Sequence, residues 1–173
     1  MKNKAKIFII FIGCLLFRLI PLRAPNVEPI MASIMPVGRK YGALLAFLFG
    51  FVSMVLYDIL TGKVGHWTWT TAISYGIIGI VSVFYFKKYK ASPFNFAVFA
   101  FMGTIFFDVV TGILFHFPGQ SMFTALVLQI PFTALHLAGN IGFALTLSPL
   151  LNRWFLSKES FRLQKAFSGF KKA

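Results

Sequence analysis

The chain alternates between long apolar runs and short polar intervals. A helix that crosses a bilayer needs about 20 predominantly apolar residues. Four stretches satisfy this: residues 41–60, 67–86, 95–115 and 122–151. Residues 6–20 form a shorter run that reaches span length with its flanks. Residues 27–37 are too short to cross alone and need support from neighbouring helices. The pattern predicts an all-α integral membrane protein, a compact bundle of six transmembrane helices over residues 1–151. Pro131 is a candidate bend in the last span. Residues 152–173 form a basic tail with interspersed apolar positions, expected as a surface-lying amphipathic helix or a flexible segment.

Basic residues orient this arrangement. With the N-terminus in the cytoplasm, all of the 17 Lys and Arg except Arg18, Arg23 and Lys63 fall on the cytoplasmic side. Such a bias places both termini inside. Omitting the short second span would put the later basic loops on the wrong side, so the charges support six spans.

Composition agrees. Hydrophobic residues make up 58% of the 173 positions and charged ones only 12%, too apolar a surface for a soluble domain. The net charge of +13 does not indicate nucleic acid, because the cations cluster at span ends, where they meet anionic headgroups. The single Cys14 lies in an apolar run and cannot form an intramolecular disulfide. The N-terminal run has no small-residue cleavage site before Arg18, Pro21 and Arg23, and is expected to be retained as a span.

The few polar groups inside the apolar runs are not scattered. DILTGKVGH occupies residues 58–66 and DVVTGILFH residues 108–116. Asp, Thr, Gly and His recur in register, and Asp58 and Asp108 are the only two Asp residues. Under the six-span topology both segments end outward-running helices. The repeat is then a parallel one, two helical hairpins delivering similar polar corners to the outer face. Carboxylates at membrane depth face a partner or a cavity. Two roles fit: a carboxylate tying off its own turn, with Gly62 and Gly112 at the bend, or a carboxylate lining an outward pocket. His66 and His116 follow in the outer loops, where they cap helices, bond a ligand, or complete an N/O metal set with the two Asp.

Two further patterns point to the same face. In HWTWTTAISY, residues 66–75, Trp67 and Trp69 suit an interfacial belt. Trp67, Thr71 and Ser74 share one helical face, an aromatic above two hydroxyls. Gln129, Thr133, His136 and Asn140 form one polar stripe, which must face protein or a cavity. Its outer part suits a pocket, and Asn140 a structural contact. Gly42, Ala46 and Gly50 form a small-residue seam suited to close packing on another span or on another protein. No P-loop, nucleophile elbow or zinc-protease motif occurs, so an enzyme is not expected.

Six short spans, a basic interior, no ATPase motif and polar groups gathered at outer loops resemble the substrate-binding S component of energy-coupling factor (ECF) vitamin transporters. NVEPIMASIMPVGRKYGALLAFLFGFVSMVLYDILTG and the following WTWTTAISYGIIG look like members of that group. The resemblance implies a bacterial plasma-membrane subunit that captures a vitamin or related micronutrient from outside. It implies no cofactor bound by this chain. Its partners would be a membrane coupling subunit and two cytoplasmic ATPases, whose ATP hydrolysis topples the S component. Carried over to this chain, the contacts are Glu28 in the first outer loop and Asp58, His66, Trp67, Trp69, Thr71 and Ser74 around the second. Asp108, His116 and Gln120 follow at the third, then Gln129, Thr133 and His136. Many S components dock through A-x-x-x-A in the first span. Here Gly13 and Cys14 precede bulky Leu15, Leu16 and Phe17, so Gly42, Ala46 and Gly50 are the substitute docking surface. Two acids, three His and two Trp favour a neutral or cationic heteroaromatic ligand. A chain starting MKNKAK lacks the N-terminal His of cobalt and nickel S components. The alternative is a non-transporting scaffold of the cell-shape kind, which leaves the repeated Asp corners without a purpose.

Overall fold

The computed structural model describes residues 3–22, 27–114 and 121–170. Its helices are α1 (Asn3–Leu19), α2 (Ile30–Tyr41), α3 (Ala43–Leu60), α4 (His66–Lys88), α5 (Pro93–Asp108) and α6 (Met122–Phe170). A π-helical segment, Val109–Leu114, extends α5. No strand occurs among the described residues. Among the described residues, four helices are long and apolar enough to cross a membrane: Ala43–Leu60, His66–Lys88, Pro93–Gly112 and Met122–Phe155. At a rise of 1.5 Å per residue, α1 is about 26 Å long and α2 only about 18 Å.

Burial explains how so short an α2 persists. Every residue from Ile30 to Gly38 is buried, and α2 packs on α3, α4, α5 and α6. Its neighbours stand where lipid would otherwise be, so its length need not match the bilayer. At its far end Gly42 adopts φ +90° and turns the chain directly into α3, a left-handed conformation suited to glycine.

The small residues of α3 are consumed inside the bundle. Ala46 is fully buried. A Cβ on Gly50 would lie 2.7 Å from the Tyr75 carbonyl oxygen, and one on Gly79 would lie 2.5 Å from the Ala46 carbonyl oxygen. The helices α3 and α4 therefore touch backbone to backbone. Of the residues expected as a docking surface, Ala46 and Gly50 thus face α4 within the bundle, and Gly42 forms the half-exposed corner before α3.

One end of the bundle is tied by basic and aromatic groups. Lys6 donates to the Trp154 carbonyl at 2.5 Å and lies 5.0 Å from that indole centroid. Arg39 donates to Asn152 at 2.6 Å, and Tyr41 meets Phe155 edge-on at 5.3 Å. α6 is unbroken through Pro131 and Pro149 to Phe170. Its 49 residues extend about 74 Å, against roughly 40–45 Å for a bilayer with headgroups. Residues 152–170 thus continue the last span as helix.

Candidate functional site

The polar groups collect at the opposite end. α3 stops where Thr61 donates its hydroxyl to the Tyr57 carbonyl at 2.9 Å and Gly62 takes φ +67°. The chain then turns into α4. There Thr68 accepts from the Gly65 N–H at 3.0 Å and donates to Asp58 Oδ2 at 2.6 Å. Asp58 therefore clamps its hairpin through the first turn of α4 and also faces the cavity. The two roles weighed from sequence are not exclusive.

A second network crosses the bundle. Arg18, near the end of α1, is 9% exposed, and Glu28, just before α2, is 6% exposed. Arg18 Nε lies 3.0 Å from Glu28 Oε2, and Tyr75 of α4 donates to Glu28 Oε1 at 2.6 Å. Arg18 Nη1 also reaches the Ser53 carbonyl at 3.2 Å, and the guanidinium lies 4.0 Å from the Tyr57 ring centroid. A buried ion pair tolerates its desolvation only when its remaining groups are satisfied. Both Glu28 oxygens are engaged here, so Glu28 anchors the segment before α2 as well as facing the cavity.

The third polar pair joins α5 to α6. His136 Nδ1 and Asp108 Oδ1 are 2.7 Å apart, each side chain 2% exposed. A carboxylate at this distance accepts the bond from Nδ1–H. Phe107 and Phe132 flank the imidazole edge-on at 5.4 and 6.0 Å. One turn deeper, Asn140 donates to Thr104 at 2.8 Å, the structural contact expected of it.

These networks surround one cavity of about 200 Å³. It is lined by Arg18, Glu28, Met54, Asp58, Trp67, Thr71, Phe107, Thr111, Phe132 and His136. Glu28, Asp58, Trp67, Thr71 and His136 were expected from the sequence, and Asp108 stands directly behind His136. The lining carries one arginine against two carboxylates, with that arginine already paired to Glu28. Such a site offers hydrogen-bond acceptors and aromatic edges and leaves little to attract an anion.

Several expected residues lie elsewhere. His66 is exposed and packs on Trp67 at 5.1 Å. Trp69 is half exposed and leans towards Phe51 on the flank, because two residues of helix turn it about 200° around α4 from Trp67. Ser74 is buried and spends its hydroxyl on the Thr70 carbonyl at 2.7 Å. Gln129 donates to Thr133 at 3.1 Å, and both line a separate apolar cavity. His116 and Gln120 lie outside the described residues. Among the described residues no cluster of three His, Cys, Asp or Glu fits a metal ion.

Sequence reading missed Arg18, Tyr75, Thr68, Met54, Phe107, Thr111 and Phe132. Arg18 carried a usable signal, as a lone charge within an apolar span with Glu28 ten residues on. The apolar lining residues carried none, since their types match the rest of each span.

The repeated D-x-x-T-G also diverges. Thr111 donates to the Phe107 carbonyl at 2.8 Å, as Thr61 does to Tyr57. The second copy runs on as the π-helical segment Val109–Leu114, whereas the first leaves the helix after Leu60 and turns at Gly62. Gly112 instead supplies space: a Cβ there would lie 1.8 Å from Gln129 Oε1.

With this geometry in place, comparison with known families is decisive. A model of the ECF-type riboflavin transporter S component matches residues 7–151. The chain belongs to this S-component family. The family is one of membrane transport components, and membership implies a small-molecule ligand and an ECF module as partner. The scaffold alternative gains no support. No curated protein and no solved structure matches the chain.

Proposed function

We propose that this S component captures riboflavin, or a close flavin relative, in the cavity between Asp58 and His136, for uptake through a membrane coupling subunit and two ATPases of a bacterial plasma membrane. The observation that carries the reading is the cavity itself. It lies at the end of the bundle away from the basic cluster, and the positive-inside rule supports an outward-facing position for it. Trp67, Phe107, Phe132 and His136 offer faces and edges to a flat ring system. Asp58 and Thr71 offer hydrogen bonds to hydroxyl and N–H donors. The excess of carboxylates favours the uncharged vitamin over an anionic derivative.

The test is native mass spectrometry of the full chain purified from its own membrane, followed by titration of the emptied protein with riboflavin. A bound flavin mass, lost in Asp58→Asn, supports the reading. A protein that carries only lipid and leaves flavin fluorescence unquenched refutes it.

A further inference from the structure

The polar cavity takes four residues from α5, its π-helical extension and α6: Phe107, Thr111, Phe132 and His136. Two of these are phenylalanines, and Thr111 donates its hydroxyl to the Phe107 carbonyl. Polar recognition from this wall therefore rests on His136. Its two ring nitrogens are used differently. Nδ1 is turned to Asp108, which stands behind the ring and outside the cavity lining. Nε2 has no hydrogen-bond partner among the described residues. Unlike Asp108 Oδ2, it is not sealed off, so it is the polar atom that the ring shows to the cavity.

Asp108 decides which nitrogen carries the proton. Its Oδ1 lies 2.7 Å from Nδ1, and its Oδ2 is buried without a partner among the described residues. His136 is thus the one donor that this carboxylate has among those residues. Moving the proton to Nε2 would leave a buried carboxylate with no donor and set its oxygen against a ring lone pair. That penalty is larger than for a neutral acceptor, so the proton stays on Nδ1. A second proton on Nε2 is also disfavoured. A buried charged imidazole needs an acceptor at each of its N–H groups, and Nε2 has none. The ring is therefore neutral, with a bare lone pair on Nε2.

We propose that Asp108 is a positioning residue: it holds His136 in the Nδ1–H form, so that Nε2 accepts a hydrogen bond from a ring N–H of the ligand. This rests on the flavin reading above and adds the edge of the flavin that α6 recognises. An oxidised flavin ring has one N–H, at N3, between two carbonyls, and its other polar ring atoms are acceptors. A lone pair on Nε2 attracts the first and repels the rest, so it selects the ring's orientation as well as its identity. Phe107 and Phe132 still supply aromatic contacts to the ring, and Asp58 still accepts from the ligand's hydroxyls. A ligand without a ring donor leaves Nε2 unpaired in a desolvated site.

The probes are riboflavin and its N3-methyl derivative, which lacks the ring N–H, titrated by fluorescence quenching into the full chain in nanodiscs at neutral pH. Wild type is expected to prefer riboflavin by roughly tenfold or more, the scale set by a buried acceptor left unpaired. His136→Phe keeps a ring and removes the acceptor. Asp108→Asn presents an amide that can donate to Nδ1 and so releases the tautomer. In each variant the preference should fall to about threefold or less, near the loss of that bond. A purely structural role for the pair would weaken both flavins alike and leave their ratio unchanged. Retained protection of the Cys14 thiol confirms folding. Histidine ¹⁵N spectra of wild type give a readout that needs binding by neither variant. The ring signals absent from His136→Phe should show Nδ1 protonated and Nε2 bare, with Nε2 shifting on addition of riboflavin but not of the methylated flavin. Equal affinity of wild type for the two flavins, a preference that survives either substitution, or a proton on Nε2 overturns this inference alone. Absence of binding of either flavin to wild type overturns the flavin reading and, with it, the ligand edge named here.

Discussion

Substituting Ala for Gly79 or Gly50 tests the contact on which the fold depends most directly. A methyl at Gly79 would sit 2.5 Å from the Ala46 carbonyl oxygen and 2.6 Å from its carbon. At Gly50 it would sit 2.7 Å from the Tyr75 oxygen. The obstacles are backbone atoms of a facing helix, which no rotamer change can move aside. Since ordinary contact begins near 3.4 Å, α3 and α4 must part by about 0.9 Å at Gly79. A gap of that size forfeits roughly a quarter to a half of each dispersion contact along the seam. Overpacking of this kind costs about 1–3 kcal/mol and occasionally more. Because the opposing backbone cannot yield, the cost falls at the upper end of that range, about 3 kcal/mol; Ala gains back about 1 kcal/mol of helix propensity over Gly, so the expected net loss is about 2 kcal/mol at each position.

Gly13 and Gly142 provide the control. A Cβ at either meets nothing within 4 Å, so Ala there is expected to be neutral or to stabilise by up to about 1 kcal/mol. The assay uses the protein's only cysteine. Cys14 is 3% exposed, and a thiol-reactive dye added during a thermal ramp reports its exposure on unfolding. Gly79→Ala and Gly50→Ala should lower the midpoint by roughly 4–8 °C at 2–4 °C per kcal/mol, while Gly13→Ala and Gly142→Ala leave it within about 3 °C or raise it. Wild-type midpoints for both seam variants would refute the backbone-to-backbone seam and return Ala46 and Gly50 to the role of an outside docking surface.

Three other substitutions test the site. Arg18→Met, which strands Glu28, should cost about 3–5 kcal/mol, and Arg18→Met/Glu28→Gln should recover much of it; the same dye assay reads both. Asp58→Asn keeps an acceptor for Thr68, so it should leave the melting midpoint nearly unchanged while weakening flavin at least tenfold in a quenching titration. Gly112→Ala should destabilise through the Gln129 side chain, and Gln129→Ala in the same chain should relieve the clash, which a double-mutant cycle on thermal midpoints measures.

What the sequence revealed followed from how few polar residues it has. In an apolar chain each Asp or His must be accounted for, so Asp58, Asp108 and His136 stood out, and all three reached or adjoined the cavity. The spans were legible for the same reason: α3 and α4 fell within two residues of their expected bounds. Side-chain direction was less legible. Trp67 and Trp69 are equivalent as interfacial aromatics, yet one lines the cavity and the other the flank. Ser74 shares the face of Trp67, but its hydroxyl bonds its own helix, as serine does when no better partner is in reach. The seam of Ala46 and Gly50 was legible as a packing surface, but its partner was not, because a small residue carries no mark of what it touches.

The two D-x-x-T-G segments show why a repeat in sequence need not be one in structure. Both copies place an Asp against a group on the next helix: Thr68 for Asp58 and His136 for Asp108. Both use Thr to bond a carbonyl four residues back. The copies part at glycine because their surroundings differ. Gly62 is exposed with open space around it, so the chain can take a left-handed turn there and end the helix. Gly112 lies beneath Gln129, and the Asp108–His136 bond secures this strut to α6. The helix therefore continues by widening its turns, and it is this wider stretch that separates the two cavities. The same five-residue pattern thus yields a rigid corner at Asp58 and an irregular wall at Asp108. At the corner Gly62 holds φ +67°, so Gly62→Ala should strain the turn and lower the thermal midpoint, although a Cβ there meets open space.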